Sequence, residues 1–218
     1  MISSYNINKL EISKESKNSI EICENLCNII KKNLTLRNQY ITLLEKISKN
    51  KLEIEISSFI EFFEKMFDIT YHPYKNKSQY TKFLNDYILR ELFLYSIAIP
   101  LKNKHYEFIK DLLYSPYYFE DYLDKACRFS ELDQRGDIYT NDLLKKYFNS
   151  QNKNYHNPLG YLMISNLHPN YKKDNLVDAD LLCFYITILY PNLFKDWFPF
   201  LWIYKESNNI SNKTIPVI

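Results

Sequence analysis

Glycine is nearly absent from this chain of 218 residues, since only Gly136 and Gly160 are present. Phosphate-cradling loops and dinucleotide-binding folds need glycine where the backbone must approach the ligand closely. The two glycines lie far apart in the sequence and belong to no such motif. The sequence therefore excludes P-loop NTPases, Rossmann enzymes and kinases with a glycine-rich loop.

A strong imbalance of charge is also missing. The chain has 28 Lys and Arg residues against 26 Asp and Glu residues, which gives a net charge of +2. These charges are mixed along the sequence and form no long basic stripe that could neutralise phosphates. We therefore expect no nucleic-acid partner. Lysine-rich turns at 102–104 and 172–173 leave a nucleic-acid-binding helical protein as the second alternative.

Cysteine is too sparse for a secreted disulfide scaffold, because the chain has only 4. All of them lie within apolar helical patterns, which predicts reduced, buried thiols. Cys23 and Cys27 share one helical face, but a structural zinc site needs four ligands and no Cys or His pair elsewhere has matching spacing. The sequence thus predicts no metal and no cofactor.

Long hydrophobic segments are missing as well. The uncharged segment 181–194 is too short to cross a bilayer and is interrupted by Pro191 and Asn192, so we expect a buried core helix there and no membrane association. Near the N-terminus, charged residues interrupt any apolar region that a signal peptide would need. We expect a cytoplasmic protein, and the abundance of Ile, Asn, Lys, Tyr and Phe is typical of an AT-rich bacterial genome.

Aromatic residues, in contrast, make up 17% of the chain, with 20 Tyr, 14 Phe and 2 Trp. Apolar residues recur at helical spacing, and the segment 80–99 is apolar on nearly all sides, which is typical of a central helix. The sequence predicts an all-α fold, an irregular multi-helix bundle of helix-turn-helix pairs with an aromatic-rich core. We expect one domain over 1–218, with a possible subdivision near 149–157. The predicted helices cover 13–33, 36–47, 52–66, 80–99, 104–113, 120–127, 140–148, 158–167 and 178–190.

One acidic cluster could carry chemistry. Asp174, Asp178 and Asp180 follow His168, and closely spaced aspartates can hold Mg²⁺. This leaves, as the first alternative, a metal-dependent enzyme of nucleotidyl transfer or hydrolysis with His168 as general base. The competing interpretation is structural, with Asp178 capping a helix and Asp180 complementing its dipole. We favour the structural interpretation and predict no catalytic residue.

The segment 197–204 contains more aromatic surface than one short segment usually buries. It could close the core as a C-terminal lid, or it could form an interface, because Trp and Tyr are enriched at binding hot spots. The sequence favours a non-enzymatic helical module for protein interaction, oligomerisation or regulation, bound to a protein partner or to a second copy. The interface candidates are Trp197, Phe198, Phe200, Trp202 and Tyr204.

Overall fold

The computed structural model contains eight α-helices and one short 3-10 helix in the part of the chain that it describes. No strand occurs among the described residues, and Tyr117 and Cys127 form only an isolated antiparallel bridge. The all-α prediction is confirmed. The described residues are 19–50, 55–71, 79–120, 125–132, 138–151, 153, 155 and 157–211. The helices are α1 (Ser19–Asn50), α2 (Ile56–Tyr71), α3 (Gln79–Lys102), α4 (Tyr106–Tyr114), the 3-10 helix (Phe129–Leu132), α5 (Ile138–Ser150), α6 (Pro158–Ser165), α7 (Lys173–Leu189) and α8 (Phe200–Ser211).

Helix α3 is the centre of the fold. Every residue from position 87 to position 100 is buried, and α3 packs against α1, α2, α4 and α7. Over this buried stretch, apolar residues surround the helix in the sequence and leave it no solvent-facing side, so it needs neighbours all round. The predicted central helix over 80–99 is confirmed.

Helices α1 and α3 run side by side in the same direction. Side-chain hydrogen bonds join Arg37 to Glu91 and Tyr40 to Ser96, and another joins Ser48 to Asn103, just beyond the end of α3. Each links residues 54 to 56 positions apart. The residue numbers of each pair differ by nearly the same amount, which means that the two helices run parallel. In an antiparallel pair the sum of the two residue numbers would be constant instead. The intervening helix α2 connects the end of α1 with the start of α3.

Helix α1 is one continuous helix of 32 residues, whereas the sequence predicts two helices over 13–33 and 36–47. The junction around Thr35 contains neither glycine nor proline, so nothing in the backbone ends the helix there. Arg37 and Tyr40 just beyond it are buried against α3, which holds the second half in line with the first. Residues 13–18 of the predicted helix lie outside the described residues.

Aromatic rings from distant segments meet in the core. Phe93 of α3, Phe129 of the 3-10 helix and Trp197 contact one another with ring centroids 5.7 to 5.9 Å apart. The buried apolar residues of the described helices form one cluster that extends from α1 to α8 and includes Leu201. The predicted aromatic-rich core is confirmed, and the single domain over 1–218 stays a prediction.

Candidate protein interface

The three aspartates of the acidic cluster all lie on α7 but have different surroundings. Asp174 pairs with Lys205 of α8 at 3.1 Å between Oδ1 and Nζ, Asp178 is exposed, and Asp180 is completely buried. Within the described ranges, no group of three or more His, Cys, Asp or Glu side chains could hold a metal ion. The helix does not bring these carboxylates together.

The start of α7 differs from the predicted one. The helix begins at Lys173, so Asp178 lies inside it and does not cap it. The Asn175 side chain instead accepts a hydrogen bond of 3.0 Å from the Lys172 backbone N–H. A short polar side chain in the first turn can satisfy a backbone donor in this way. The structural interpretation of Asp178 as a cap is therefore wrong.

His168 lies in the turn between α6 and α7. Its backbone N–H donates to the hydroxyl of Tyr95 at 3.0 Å, and its Nδ1 accepts from the N–H of Asn170 at 3.3 Å. Partial burial lowers the pKa of His168 from its ordinary value. These contacts position the turn against α3.

Asp180 joins three separate segments. Its Oδ1 accepts hydrogen bonds from Nη2 of Arg90 and Nε1 of Trp197, both at 2.8 Å, and its Oδ2 accepts from the N–H of Leu201 at 2.8 Å. Burial raises the pKa of Asp180, and these donors oppose that shift. Both carboxylate oxygens of Asp180 therefore already accept hydrogen bonds. Through these bonds, Asp180 on α7 holds Arg90 of α3 and the C-terminal residues Trp197 and Leu201.

The guanidinium of Arg90 is enclosed by aromatic rings. Its Cζ lies 4.3 Å from the ring centroid of Trp197 and 4.6 Å from that of Phe200. Arg90 also donates to the carbonyl oxygen of Phe198. A weakly hydrated guanidinium that stacks on rings and binds a carboxylate is well suited to a buried position. The C-terminal segment thus closes the core over α3.

The interface candidates of the C-terminal segment divide between core and surface. Trp197 is buried in the core, and Phe200 and Tyr204 are half-buried. Phe198 and Trp202 remain exposed, by 39% and 41%. The segment closes the core with one side and presents two rings with the other, so its use as an interface stays a prediction.

A larger apolar surface lies at the C-terminal end of α7. Among the described residues, eleven large apolar side chains are exposed, and five of them lie between positions 185 and 193. The ring of Tyr114 on α4 contacts that of Tyr190 with centroids 6.2 Å apart, which extends this surface to α4. We call it the α7 apolar surface. Its members are exposed by 38% to 68%: Tyr114, Tyr185, Ile188, Leu189, Tyr190 and Leu193.

This surface arises because α7 is apolar on two opposite sides. Cys183 and Thr187 are buried against the core, and Tyr185 lies between them in sequence, which places it on the opposite side of the helix. The expected buried core helix over 181–194 is therefore only partly buried. None of the described helices combines the length and the apolar character that spanning a bilayer requires.

The turn after α7 is held firmly in place. The N–H groups of Leu193 and Phe194 donate to the carbonyl of Tyr190 at 3.0 and 3.1 Å, and the Phe194 ring is buried 5.2 Å from the ring of Phe129. The N–H of Trp197 donates to Oγ1 of Thr187 at 3.3 Å. These contacts present the exposed side chains on a rigid backbone.

The sequence contains one signal for this surface, the uncharged segment 181–194. A solvent-facing helix side normally carries Lys, Glu or other polar residues, and here it carries Tyr, Ile and Leu. Sequence periodicity alone could not separate an exposed apolar side from a second buried one.

Comparisons with known proteins identify no relative, since no protein-family profile, no curated protein and no solved structure matches the chain. The function of the chain must therefore be inferred from its own geometry. The most distinctive feature of that geometry is the α7 apolar surface.

Proposed function

We propose that this chain is a non-enzymatic protein-association module that binds another protein through the α7 apolar surface. The supporting observation is the size of that surface. With roughly 200 Å² for a fully exposed side chain of this size, the exposed fractions of its six members amount to on the order of 600 Å². The largest apolar patch of a typical monomer covers about 300–600 Å² and is often functional. The summed exposed area of the six members, polar atoms included, is of that size.

The chemistry of the surface supports the same proposal. Three of its six members are tyrosines, which supply a large apolar ring with few rotatable bonds and a hydroxyl that can reach a partner. No charged residue occurs between positions 181 and 194, and the centres of protein interfaces are depleted in charge.

The rigidity of the surface lowers the free-energy cost of association. Binding is weakened when loops and side chains must first become ordered. Here the backbone hydrogen bonds of Tyr190 and the buried ring of Phe194 already fix the turn. The acidic cluster does not form an exposed binding surface of this kind, because Asp180 is buried in an ion pair with Arg90 and Asp174 pairs with Lys205.

The test is to place a charge in the surface and measure association. We expect Leu189→Asp to weaken association at least about tenfold, because association would bury an unpaired carboxylate, which costs more than the about 1.4 kcal/mol that a tenfold change requires. Leu189 is exposed by 68%, so the fold should tolerate the change, which circular dichroism and thermal unfolding would verify. Tyr106→Asp is the matched control, because Tyr106 is exposed by 57% on α4 and is not a member of the surface.

Association would be followed by light scattering of the purified chain and by pull-down from cells of its source. Loss of association in Leu189→Asp, together with its retention in Tyr106→Asp, supports the proposal. A wild-type chain that stays monomeric and binds no protein, or equal association in wild type and Leu189→Asp, overturns it.

A further inference from the structure

We infer that the α7 apolar surface binds the same surface of a second copy of this chain, so that the chain forms a two-fold symmetric dimer. This inference rests on the proposed function and names its partner. It is supported by the area of the surface, by the lack of charge in its segment 181–194 and by its shape.

The area is sufficient for a small but stable dimer. Two copies of a surface of about 600 Å² bury about 1,200 Å² in total, which is the lower limit of stable, specific interfaces. Polar residues around the edge of the surface would add to this area.

The chemistry of the surface complements itself. In a two-fold interface each residue faces the same patch of the partner, so a charged residue near the axis would meet its own charge. The segment 181–194 contains no charged residue, and this repulsion cannot arise there. A tyrosine hydroxyl both donates and accepts hydrogen bonds, so the hydroxyls of Tyr185 and Tyr190 can bind identical groups across the axis.

The shape of the surface also favours a second copy over an extended peptide. One side of α7 presents Tyr185 together with Ile188 and Leu189, which follow it by three and four residues. Side chains at this spacing form a ridge of the kind that packs against another helix. The part of the chain that the structure describes contains no strand whose edge could bind a peptide by strand addition. A second α7 supplies the matching ridge.

The test uses introduced cysteines, because the native thiols are protected. All four native cysteines are free and buried, and burial raises the pKa of Cys23 to about 12 and that of Cys27 to about 11. Single variants Tyr185→Cys, Ile188→Cys and Leu189→Cys place one reactive thiol on the surface. We expect at least one of them to form a disulfide-linked dimer under mild oxidation, whereas Tyr106→Cys, whose thiol lies outside the surface, forms no disulfide-linked dimer.

Sedimentation of the wild-type chain over a range of concentrations completes the test. A reversible dimer whose dissociation constant rises at least about tenfold in Leu189→Asp, and is unchanged in Tyr106→Asp, supports the inference. A strict monomer, or a dimer that Leu189→Asp leaves intact, overturns it.

The same variants separate the inference from the proposed function. If the wild-type chain is monomeric but binds a different protein, and Leu189→Asp abolishes that binding, the inference fails and the proposed function stands. If the chain is monomeric and binds only phosphatidylcholine vesicles through this surface, both fail.

Discussion

Arg90 of α3 and Asp180 of α7 form an ion pair of 2.8 Å between Nη2 and Oδ1, and both side chains are almost completely buried. The next residue on α3, Glu91, forms a second buried ion pair of 2.8 Å with Arg37 of α1. Neighbouring residues on a helix point about 100° apart, so two adjacent charges connect α3 to helices on two different sides. These pairs fix how α1, α3 and α7 pack together.

The first prediction concerns the Arg90 and Asp180 pair. Asp180→Asn keeps the size of the side chain but leaves the guanidinium of Arg90 buried without its counter-charge. We expect the free energy of unfolding to fall by about 3–5 kcal/mol, the usual effect of breaking a buried pair by removing one partner. Urea unfolding measures the change, with Asp178→Asn as the control because Asp178 is exposed on the same helix.

The control variant should stay within about 0.5 kcal/mol of the wild type, as exposed substitutions usually do. Equal effects of Asp178→Asn and Asp180→Asn would contradict the importance of the buried pair.

A second prediction concerns Asn85 of α3. This side chain is completely buried, and neither its Oδ1 nor its Nδ2 has a hydrogen-bond partner among the residues that the structure describes. Leaving a buried polar group unsatisfied costs about 1–3 kcal/mol, so an apolar side chain of similar size should be better tolerated. We expect Asn85→Leu to raise the free energy of unfolding by about 1–3 kcal/mol.

Ser96→Ala is the comparison for Asn85→Leu. Ser96 is also a buried polar residue of α3, but its hydroxyl lies 2.6 Å from that of Tyr40 and donates to the carbonyl of Leu92 at 2.9 Å. Its replacement should destabilise the chain. A loss of stability in Asn85→Leu as well would contradict the prediction and would mean that the amide has a partner in solution or that the bulkier methyl groups overpack the site.

The sequence predicted the all-α fold and the central helix because apolar residues surround the segment 80–99, and that pattern depends only on local spacing. The sequence predicted two helices in place of α1, because the polar residues around Thr35 interrupt the apolar pattern. The continuity of α1 depends on the pairing of Arg37 with Glu91, which is distant in sequence. Contacts over long separations cannot be read from periodicity.

The role of Asp180 was hidden for the same reason. Its partner Arg90 lies 90 positions away, and the neighbouring Asp174 and Asp178 have the same residue type but different surroundings. The predicted central helix over 80–99 contains Arg90, but local spacing does not name its partner. The α7 apolar surface escaped prediction because exposed Ile188 and Leu189 have the same apolar character as core residues.

A third prediction concerns Gly160 of α6. A Cβ atom at this position would lie 2.6 Å from Cβ of Tyr204 and 3.2 Å from the carbonyl oxygen of Phe200. In an open helix, Gly→Ala stabilises by about 0.5–1 kcal/mol, but here the new methyl group must push α8 away from α6. We expect Gly160→Ala to lower the free energy of unfolding by about 1–3 kcal/mol.

We expect Gly160→Ala to destabilise the chain through the contact between α6 and α8. The double variant with Tyr204→Gly, which removes the clashing Cβ, should lose less stability than the two single variants together. Additive effects in a double-mutant cycle would argue against a steric contact between the two positions.

The last prediction concerns pH and His168. Burial lowers the pKa of His168 in the folded chain, with a smaller opposing effect from Glu45 and a further lowering from Arg37. The unfolded chain, with the ordinary histidine pKa of about 6.5, therefore binds a proton more readily. Stability contributed by neutral His168 is present above that pH and is lost as the pH falls through the interval between the two pKa values.

His168→Gln removes this titration and keeps a side chain that can accept a hydrogen bond, as Nδ1 does from Asn170. We expect the wild-type chain to lose more stability than the variant when the pH falls from about 7 to about 5, because only the wild type has a histidine there whose protonation favours unfolding. Urea unfolding at several pH values measures the difference. If the free energy of unfolding depends on pH in the same way in both chains, His168 keeps its ordinary pKa in the fold. If the variant loses more stability than the wild type at low pH, the folded chain favours the protonated imidazole through Glu45.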